Sequence, residues 1–358
     1  MHIEITRKSI ALYPLESYPD VTEITWNQTR LNTSVLKKFC NLRSLSCSAL
    51  QSLSGLEACP QLQELILSYY EASSFREIEK CTQLQVLSLS MCNIGSLGGI
   101  ECCQQLRTLM LYDETTTSLN GIEHCPNLQE LSLDTSNLTA LDRIGMCTQL
   151  RKLSYWSDAE PFPINSIAAC SELETLSSGN LELTDFSSLP VWPKLKVLHW
   201  SNMGLTMLTG IEKYPLLQEL TCAYNKITSL QGIEKCTKLQ KLAVEGNPID
   251  SLEPLRYCTQ LSKLSCSSDN LKSFEGLENC SELVHFRCHR LNRLSSRSTD
   301  ESESNEYSGP TTTKGIENCK KLITFDFASR TMPNLCGIAQ LPCIQSFSMQ
   351  AYSETPEA

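Results

Sequence analysis

A repeat of 22 residues constrains the fold of this chain more than any other feature. The segment that begins at Leu217, LQELTCAYNKITSLQGIEKCTK, matches position by position the segment that begins at Leu239, LQKLAVEGNPIDSLEPLRYCTQ. One such repeat cannot bury its apolar side alone, so successive repeats must stack on one another. The sequence therefore predicts a solenoid, which is also how 358 residues can avoid dividing into several globular domains.

The spacing of the repeats is regular along most of the chain. Full repeats begin at Leu42, Leu62, Leu84, Leu106, Leu128, Leu150, Leu173, Leu195, Leu217, Leu239, Leu261, Leu283 and Leu322. From Leu62 to Leu283 the chain advances 221 residues, which is ten repeats of 22 plus one residue. Degenerate turns flank the array at Val21 to Trp26 and at Ile344 to Met349. Agreement over so many repeats does not arise by chance.

Within each repeat, apolar residues recur at fixed offsets from the first leucine. Offsets 0, 3 and 5 form an L-x-x-L-x-L pattern, which places offsets 3 and 5 on one side of a strand and offsets 2, 4 and 6 on the other. Apolar positions follow at offsets 10, 13 and 16. The return leg is too short for an α-helix, so we expect 3₁₀ or irregular turns there. Glycine at offset 15 indicates a tight bend, with left-handed backbone as one way to make it; it occurs as Gly99, Gly121, Gly210, Gly232 and Gly276.

This pattern resembles the leucine-rich-repeat superfamily in its short, 22-residue form, as in a protein phosphatase 1 regulatory subunit, axonemal dynein light chains and bacterial internalins. The resemblance covers about Val21 to Met349. It implies an α/β-type solenoid dominated by β: a curved right-handed horseshoe with a parallel concave sheet and short 3₁₀ or irregular convex legs. The family carries Asn or Cys at offset 8. Asn225, Asn247 and Cys92 match, whereas Tyr70, Glu114, Leu181 and Met203 depart from that pattern.

The sequence divides into a cap, a solenoid and a tail. We expect residues 1–20 to form an N-terminal cap, residues 21–350 the solenoid, and residues 351–358 a frayed tail. The spacing from Leu283 to Leu322 is 39 residues, and the surplus is an acidic, Ser-rich stretch at about 295–311. Its composition predicts disorder. It is either a neutral surface insertion or a regulatory loop, because Ser298 and Thr299 precede acidic residues.

Ten of the nineteen cysteines form a column, three residues before the next repeat's leucine. Trp192 and Tyr214 take the same position elsewhere, which indicates an apolar filler and therefore buried, reduced, structural thiols. No C-x-x-C pair occurs, and Cys288 at offset 5 cannot join His285 and His289 at offsets 2 and 6. We expect no metal and no cofactor. The column is Cys59, Cys81, Cys103, Cys125, Cys147, Cys170, Cys236, Cys258, Cys280 and Cys319.

Several functional classes are disfavoured by what the sequence lacks. It has no phosphate-binding glycine motif and no nucleophile elbow, so we do not expect an enzyme. A net charge of −10 disfavours a nucleic-acid partner. The first residues lack an apolar export segment, and no run approaches the ~20 apolar residues of a membrane helix. We therefore expect a cytoplasmic protein without a membrane partner, monomeric by itself.

The candidate binding residues lie on the predicted concave face. Offset 4 is mostly small and polar, while exposed aromatics and nearby acids interrupt the surface at other offsets. Such groups are typical of interface hot spots. The alternative that each aromatic packs on its neighbouring turn stays open, and Tyr155 at offset 5 should point into the core. The candidate partner-binding set is Tyr69, Tyr112, Asp113, Asp134, Trp156 and Tyr224.

We therefore expect a non-catalytic protein–protein interaction scaffold or regulatory subunit that binds a protein partner on its concave face. The resemblance implies phosphatase regulation as one version of this function. A structural component of the cytoskeleton or of a cilium is an alternative. A surface adhesin is a further alternative, which the missing export segment disfavours.

Overall fold

The computed structural model describes residues 2–5, 20–26, 33–50, 52–70, 75–112, 115–134, 138, 141–157, 162–179, 183–267, 269–289, 309–329 and 333–351. The chain forms two units, Met1–Asn180 and Leu181–Ala358. Each unit stacks successive repeats of the same design, with one strand and one return leg per repeat. Because each repeat contacts its neighbours, each unit builds its own continuous core.

The strands are short and parallel, and within each unit every strand pairs with the next one along the chain. The first unit contains β1 (His2–Ile5), β2 (Glu23–Trp26), β3 (Ser44–Ser48), β4 (Glu64–Ser68), β5 (Val86–Ser90), β6 (Thr108–Tyr112), β7 (Glu130–Asp134), β8 (Lys152–Trp156) and β9 (Thr175–Ser178). The second unit contains β10 (Val197–His199), β11 (Glu219–Thr221), β12 (Lys241–Ala243), β13 (Lys263–Ser267), β14 (His285–His289), β15 (Thr324–Ser329) and β16 (Ser346–Ala351).

The return legs are 3₁₀ helices or irregular turns, as the repeat length requires. In the first unit they contain Thr33–Lys38, Leu56–Ala58, Arg76–Lys80, Ile100–Cys102, Ile122–His124, Leu141–Met146 and Ile164–Ile167. In the second they contain Ile211–Lys213, Ile233–Lys235, Glu253–Tyr257 and Ile338–Gln340. No α-helix occurs in the described parts of the chain, and a search of those residues finds no helix that could cross a membrane.

The strand register agrees with the repeat offsets. Leu65 and Leu67, at offsets 3 and 5, are fully buried, and they pair with Leu87 and Leu89 of the next repeat. The even offsets lie on the opposite side, which we call the strand face. The predicted leucine-rich-repeat solenoid, with a parallel sheet and short 3₁₀ return legs, is confirmed.

Glycine in the left-handed region immediately precedes several of the 3₁₀ turns. Gly99 has a φ of 99°, and a Cβ there would lie 2.9 Å from the carbonyl oxygen of Arg76 in the preceding turn. The amide of Gly99 donates to the carboxylate of Glu101, two residues later, at 2.9 Å. Further glutamates two residues after the corresponding glycine do the same, so a negative charge caps the start of these turns. They are Glu57, Glu123, Glu212, Glu234 and Glu278.

Asparagine at offset 8 closes the turn after the strand, as the resemblance implies. The Asn225 side-chain oxygen accepts from the amide of Met203 at 2.8 Å, and its nitrogen donates to the carbonyl of Trp200 at 2.9 Å. Asn247 repeats the arrangement one turn later and is fully buried. In the first unit Tyr70 fills offset 8 instead and is fully buried, which shows that an aromatic ring can replace this amide.

All ten column cysteines are buried and free of disulfides. Their thiols also hydrogen-bond: Sγ of Cys125 donates to the carbonyl of Ile100 in the preceding turn at 3.5 Å. That carbonyl also accepts from the amide of Cys103 at 2.8 Å. Trp192 and Tyr214, which replace cysteine in the column, stack with ring centroids 6.0 Å apart. The prediction that the column is an apolar filler is confirmed.

Burial makes these thiols poor nucleophiles. It raises the pKa of the Cys125 thiol to about 11, and that of Cys170 likewise to about 11. At pH 8 such a thiol is ionised in roughly one molecule in a thousand. We therefore expect a thiol reagent to label rapidly only the four exposed cysteines, Cys40, Cys102, Cys336 and Cys343. Mass spectrometry of the labelled native protein checks this, and rapid labelling of the column would contradict it. In denaturant all 19 should react.

Several segments named in the sequence analysis lie partly outside the described residues. Of the expected N-terminal cap, only β1 and Asp20 are described. Most of the stretch at 295–311 is likewise outside, as is the tail beyond residue 351. At the end of that stretch, Gly309 and Pro310 are buried, and the amide of Thr311 donates to the carbonyl of Lys272 at 3.0 Å. Residues 309–311 therefore belong to the return leg of the repeat that begins at Leu283.

Candidate functional site

Three of the predicted binding residues line up on adjacent strands of the first unit. Tyr112, Asp134 and Trp156 all occupy offset 6, and the strand register places them side by side across β6, β7 and β8. Parallel strands lie about 4.8 Å apart, so these side chains form one continuous row. Tyr112 and Trp156 are 42% and 46% exposed, and Asp134 is also exposed. The row therefore presents two aromatic rings with a carboxylate between them.

Trp156 both packs on the neighbouring turn and remains exposed. Its indole lies over Gly179, the offset-6 residue of the next repeat, where a Cβ would lie 2.8 Å from Cε3 of the ring. The amide of Gly179 donates to the carbonyl of Tyr155 at 2.9 Å, which keeps this glycine directly beside β8. One face of the Trp156 ring thus packs on the neighbouring turn, while the rest of the side chain meets solvent.

Tyr69 lies at the end of β4, beside the row. It occupies offset 7, is 56% exposed and has a left-handed φ of 56°. Its amide donates to the carbonyl of Ser90 at 2.9 Å. Met91 repeats this conformation one turn later, with a φ of 51° and 64% exposure, and its amide donates to the carbonyl of Tyr112. Sequence reasoning missed Met91, although an apolar residue at offset 7 was the available signal.

The remaining candidates are not brought into this row. Asp113 lies outside the described residues. Tyr224 belongs to the second unit, where it follows β11, is 62% exposed and has a left-handed φ of 55°. A Cβ at Gly246 would lie 2.6 Å from Cδ1 of its ring, so Tyr224 rests on a glycine of the next turn. The structure thus supports a surface made of Tyr69, Met91, Tyr112, Asp134 and Trp156, which we call the aromatic patch.

Beside Asp134 and Trp156 the floor of the aromatic patch is polar and close to the backbone. Ser132 and Ser154 occupy offset 4 beside Asp134 and Trp156, and both are partly exposed. Tyr155, between Ser154 and Trp156, points the other way and is fully buried. Small side chains leave room for a partner to reach the strands, so the rings stand above a flat surface.

The described residues contain no cluster of side chains with the make-up of a metal site. No group of three or more His, Cys, Asp or Glu side chains among those residues could hold a metal ion. Cys288 is fully buried, and its Sγ lies 3.4 Å from Sγ of Cys266. His289, one residue later, is exposed on the strand face. The strand alternation therefore separates the thiol from the imidazoles, as predicted from the offsets.

The repeat is recognised by two family models. A model described as Leucine Rich repeats (2 copies) matches residues 215–257, and one described as Leucine Rich repeat matches residues 80–101. The chain contains leucine-rich repeats. No curated protein matches the sequence significantly. The matched segments cover repeats that carry the L-x-x-L-x-L pattern, one in each unit of this leucine-rich-repeat protein.

Solved structures share the fold at low sequence identity. The internalin inlF of Listeria monocytogenes matches with a TM-score of 0.62 at 18% identity, over 75% of this chain and 80% of the internalin. A leucine-rich-repeat protein of Leptospira interrogans matches with a TM-score of 0.56 at 18% identity, over 91% and 93% of the two chains. The plant peptide hormone receptor RGFR1, in complex with RGF2, matches with a TM-score of 0.55 at 17% identity, over 98% of this chain and 65% of the receptor. These likenesses concern the fold.

Proposed function

We propose that this leucine-rich-repeat protein is a non-catalytic interaction scaffold or regulatory subunit, and that it binds a protein partner through the aromatic patch. The proposal rests on Trp156. Its side chain is 46% exposed, its indole packs on Gly179, and it lies beside Asp134 on the neighbouring strand. The repeat leucines of this chain are almost completely buried, whereas this large ring is left in solvent. Exposed aromatic rings beside charges are typical of interface hot spots.

The chemistry of the patch indicates what kind of partner fits it. Trp156, Tyr112 and Met91 offer apolar area with few rotatable bonds, so their burial costs little entropy. Asp134 stands between the two rings, where a basic side chain of the partner would meet a carboxylate and two ring faces. We therefore propose a partner surface that carries an apolar side chain next to Lys or Arg.

The fold comparisons support a binding role of this general kind. The plant receptor of the same fold was solved in complex with RGF2. We propose phosphatase regulation as one specific form of the regulatory role. We also propose that the protein is cytoplasmic. The first rests on the family resemblance and the second on the many free, buried cysteines, so they are tested separately from the aromatic patch.

Substitution of Trp156 by alanine tests the proposal. We expect Trp156→Ala to weaken partner binding by about 2 kcal/mol, which is roughly 30-fold in Kd, because the ring would be buried at the centre of the interface. The experiment compares proteins retained from a cell lysate by the wild type and by the variant, identifies those lost with the variant, and measures their affinities after purification.

Tyr257→Ala is the matched control. Tyr257 is 55% exposed, but it lies in the return leg Glu253–Tyr257 rather than on the strand face. Its loss should leave partner binding unchanged. If Trp156→Ala retains the same partners with the same affinity as the wild type, the aromatic patch is not the binding site.

A further inference from the structure

A second surface of different chemistry lies on the strand face of the second unit. A cavity of about 410 Å³ is lined there by residues of β11 to β14 and the turns that follow them. Its charged lining consists of Lys241, Lys263, His285 and Arg287, together with Glu219 and Glu245. Basic groups thus collect at one place in a chain whose net charge is −10. We call these six side chains and the floor between them the basic cavity.

The strand register explains how the basic cavity forms. Lys241, Lys263 and His285 occupy offset 2 of three successive repeats and pair across β12, β13 and β14. At offset 4, β12 and β13 carry Ala243 and Ser265, whose short side chains form the floor, whereas β14 carries Arg287. Long basic side chains therefore surround a depression whose bottom is close to the backbone. The cavity is open on the solvent side, because all of its lining comes from one face of the strands.

The basic groups are neutralised to different degrees. Lys241 donates to the carboxylate of Glu219 at 2.8 Å, and Glu219 also contacts the His199 ring at 3.2 Å. Arg287, 65% exposed, has Nε 3.8 Å from the carboxylate of Asp326, a loose contact. Lys263 is exposed, and in the described part of the chain no carboxylate lies within ion-pair distance of its ammonium group. Lys263 and the outer face of Arg287 are therefore available to a ligand.

We propose that the basic cavity binds an extended acidic segment of a partner protein, with two of its carboxylates on Lys263 and Arg287. Lys263 and Arg287 lie on adjacent strands and are shifted by two positions along them, so their Cα atoms are about 8 Å apart. In an extended peptide, side chains two residues apart point the same way and lie about 7 Å apart. The geometry therefore favours a partner segment in which two acidic residues are separated by one residue.

The charge distribution favours an acidic peptide over a nucleic acid. A phosphate backbone carries a charge at every nucleotide and needs a continuous basic surface. Here Glu219 and Glu245 line the same cavity, and the rest of the chain is acidic. A peptide can place a carboxylate at Lys263 and a neutral or basic side chain near Glu245. The basic cavity lies in the second unit, so this inference does not depend on the aromatic patch of the first.

Binding of a defined peptide to the full chain tests the inference. The probe is a fluorescein-labelled peptide of alternating Glu and Ser, and the control probe replaces every Glu by Gln. At physiological ionic strength we expect fluorescence polarisation to show saturable binding of the Glu peptide and about tenfold weaker binding of the Gln peptide. Lys263→Glu should weaken binding of the Glu peptide at least tenfold, because it replaces attraction by repulsion.

Matched variants separate the charge effect from misfolding. Lys238→Glu makes the same change at an exposed lysine outside the cavity lining, and it should leave the affinity unchanged. Lys263→Arg keeps the charge and should retain binding. Trp156→Ala should also retain binding, so failure of the aromatic patch and failure of this inference are distinguishable. Thermal melting of each variant checks that it is folded, and Lys263→Gln replaces Lys263→Glu if the latter is not.

Three results would overturn the inference. The first is an absence of binding by the wild type. The second is equal binding of the Glu and Gln peptides, or unchanged affinity of the folded Lys263→Glu or Lys263→Gln variant. The third is tighter binding of a single-stranded oligonucleotide than of the Glu peptide, lost in Lys263→Glu, which would identify the basic cavity as a nucleic-acid site.

Discussion

Replacing Gly276 with alanine is expected to lower the free energy of unfolding by about 4 kcal/mol. The loss combines backbone strain with steric overlap between the new Cβ and the preceding turn. Gly276 has a φ of 107°, a conformation that an L side chain rarely adopts. A Cβ there would also lie 2.2 Å from the carbonyl oxygen of Leu252 in the preceding turn. That atom belongs to the backbone, so the overlap is relieved only if two repeats move apart. Chemical denaturation of the wild type and the variant measures the difference.

Gly204 provides the matched control in the same unit. It also has a positive φ, of 76°, but no atom lies within 4 Å of the position that its Cβ would take. Gly204→Ala should therefore cost only the backbone strain, about 1–2 kcal/mol. If the two variants lose the same amount of stability, close stacking of successive turns is not the reason for glycine at offset 15.

Replacing Tyr155 with alanine is expected to cost about 3 kcal/mol of stability, the lower part of the range for large aromatic residues in a core. Tyr155 is fully buried at offset 5, and its ring centroid lies 4.9 Å from that of Phe162. Its partner in the next strand is Ser178, a small buried residue that leaves space for the large ring. Alanine at position 155 would place two small side chains next to each other and leave a cavity in the core.

The neighbouring Trp156→Ala variant is the internal comparison. Because Trp156 is 46% exposed and packs mainly on Gly179, its loss should cost only about 1 kcal/mol of stability. Thermal and chemical unfolding of both variants gives the ranking directly. A larger loss for Trp156→Ala than for Tyr155→Ala would mean that the register of β8 is shifted by one residue, since such a shift exchanges the two faces of a strand.

Much of the fold follows from the sequence because each repeat solves the same packing problem. The apolar residues at offsets 0, 3 and 5, and glycine at offset 15 where it occurs, have the same role from repeat to repeat. Many repeats therefore predict the same structure. Tyr155 was predicted to be buried from its offset alone, and it is fully buried. The column cysteines followed from the same reasoning, since a position that also accepts Trp192 and Tyr214 must be apolar.

Other features depend on contacts between repeats, which no single repeat specifies. Trp156 packs on Gly179 because the next repeat carries glycine at offset 6 and because the indole is turned towards that repeat. The thiol of Cys125 bonds to Ile100, 25 residues earlier, because stacking places that carbonyl opposite it. The carboxylate of Glu101 accepts from the amide of Gly99, a contact that the apolar pattern of the repeat does not predict.

The sequence by itself determined the repeat length, the face on which each strand residue lies and the inward column of cysteines, because these depend on periodicity along the chain. Only the tertiary structure decided which exposed residues form a surface together. Met91 joined the aromatic patch through its left-handed backbone, and Lys263 and Arg287 became neighbours through the pairing of β13 with β14. Lateral stacking sets such contacts, and the local pattern of one repeat carries no information about the side chains of the next.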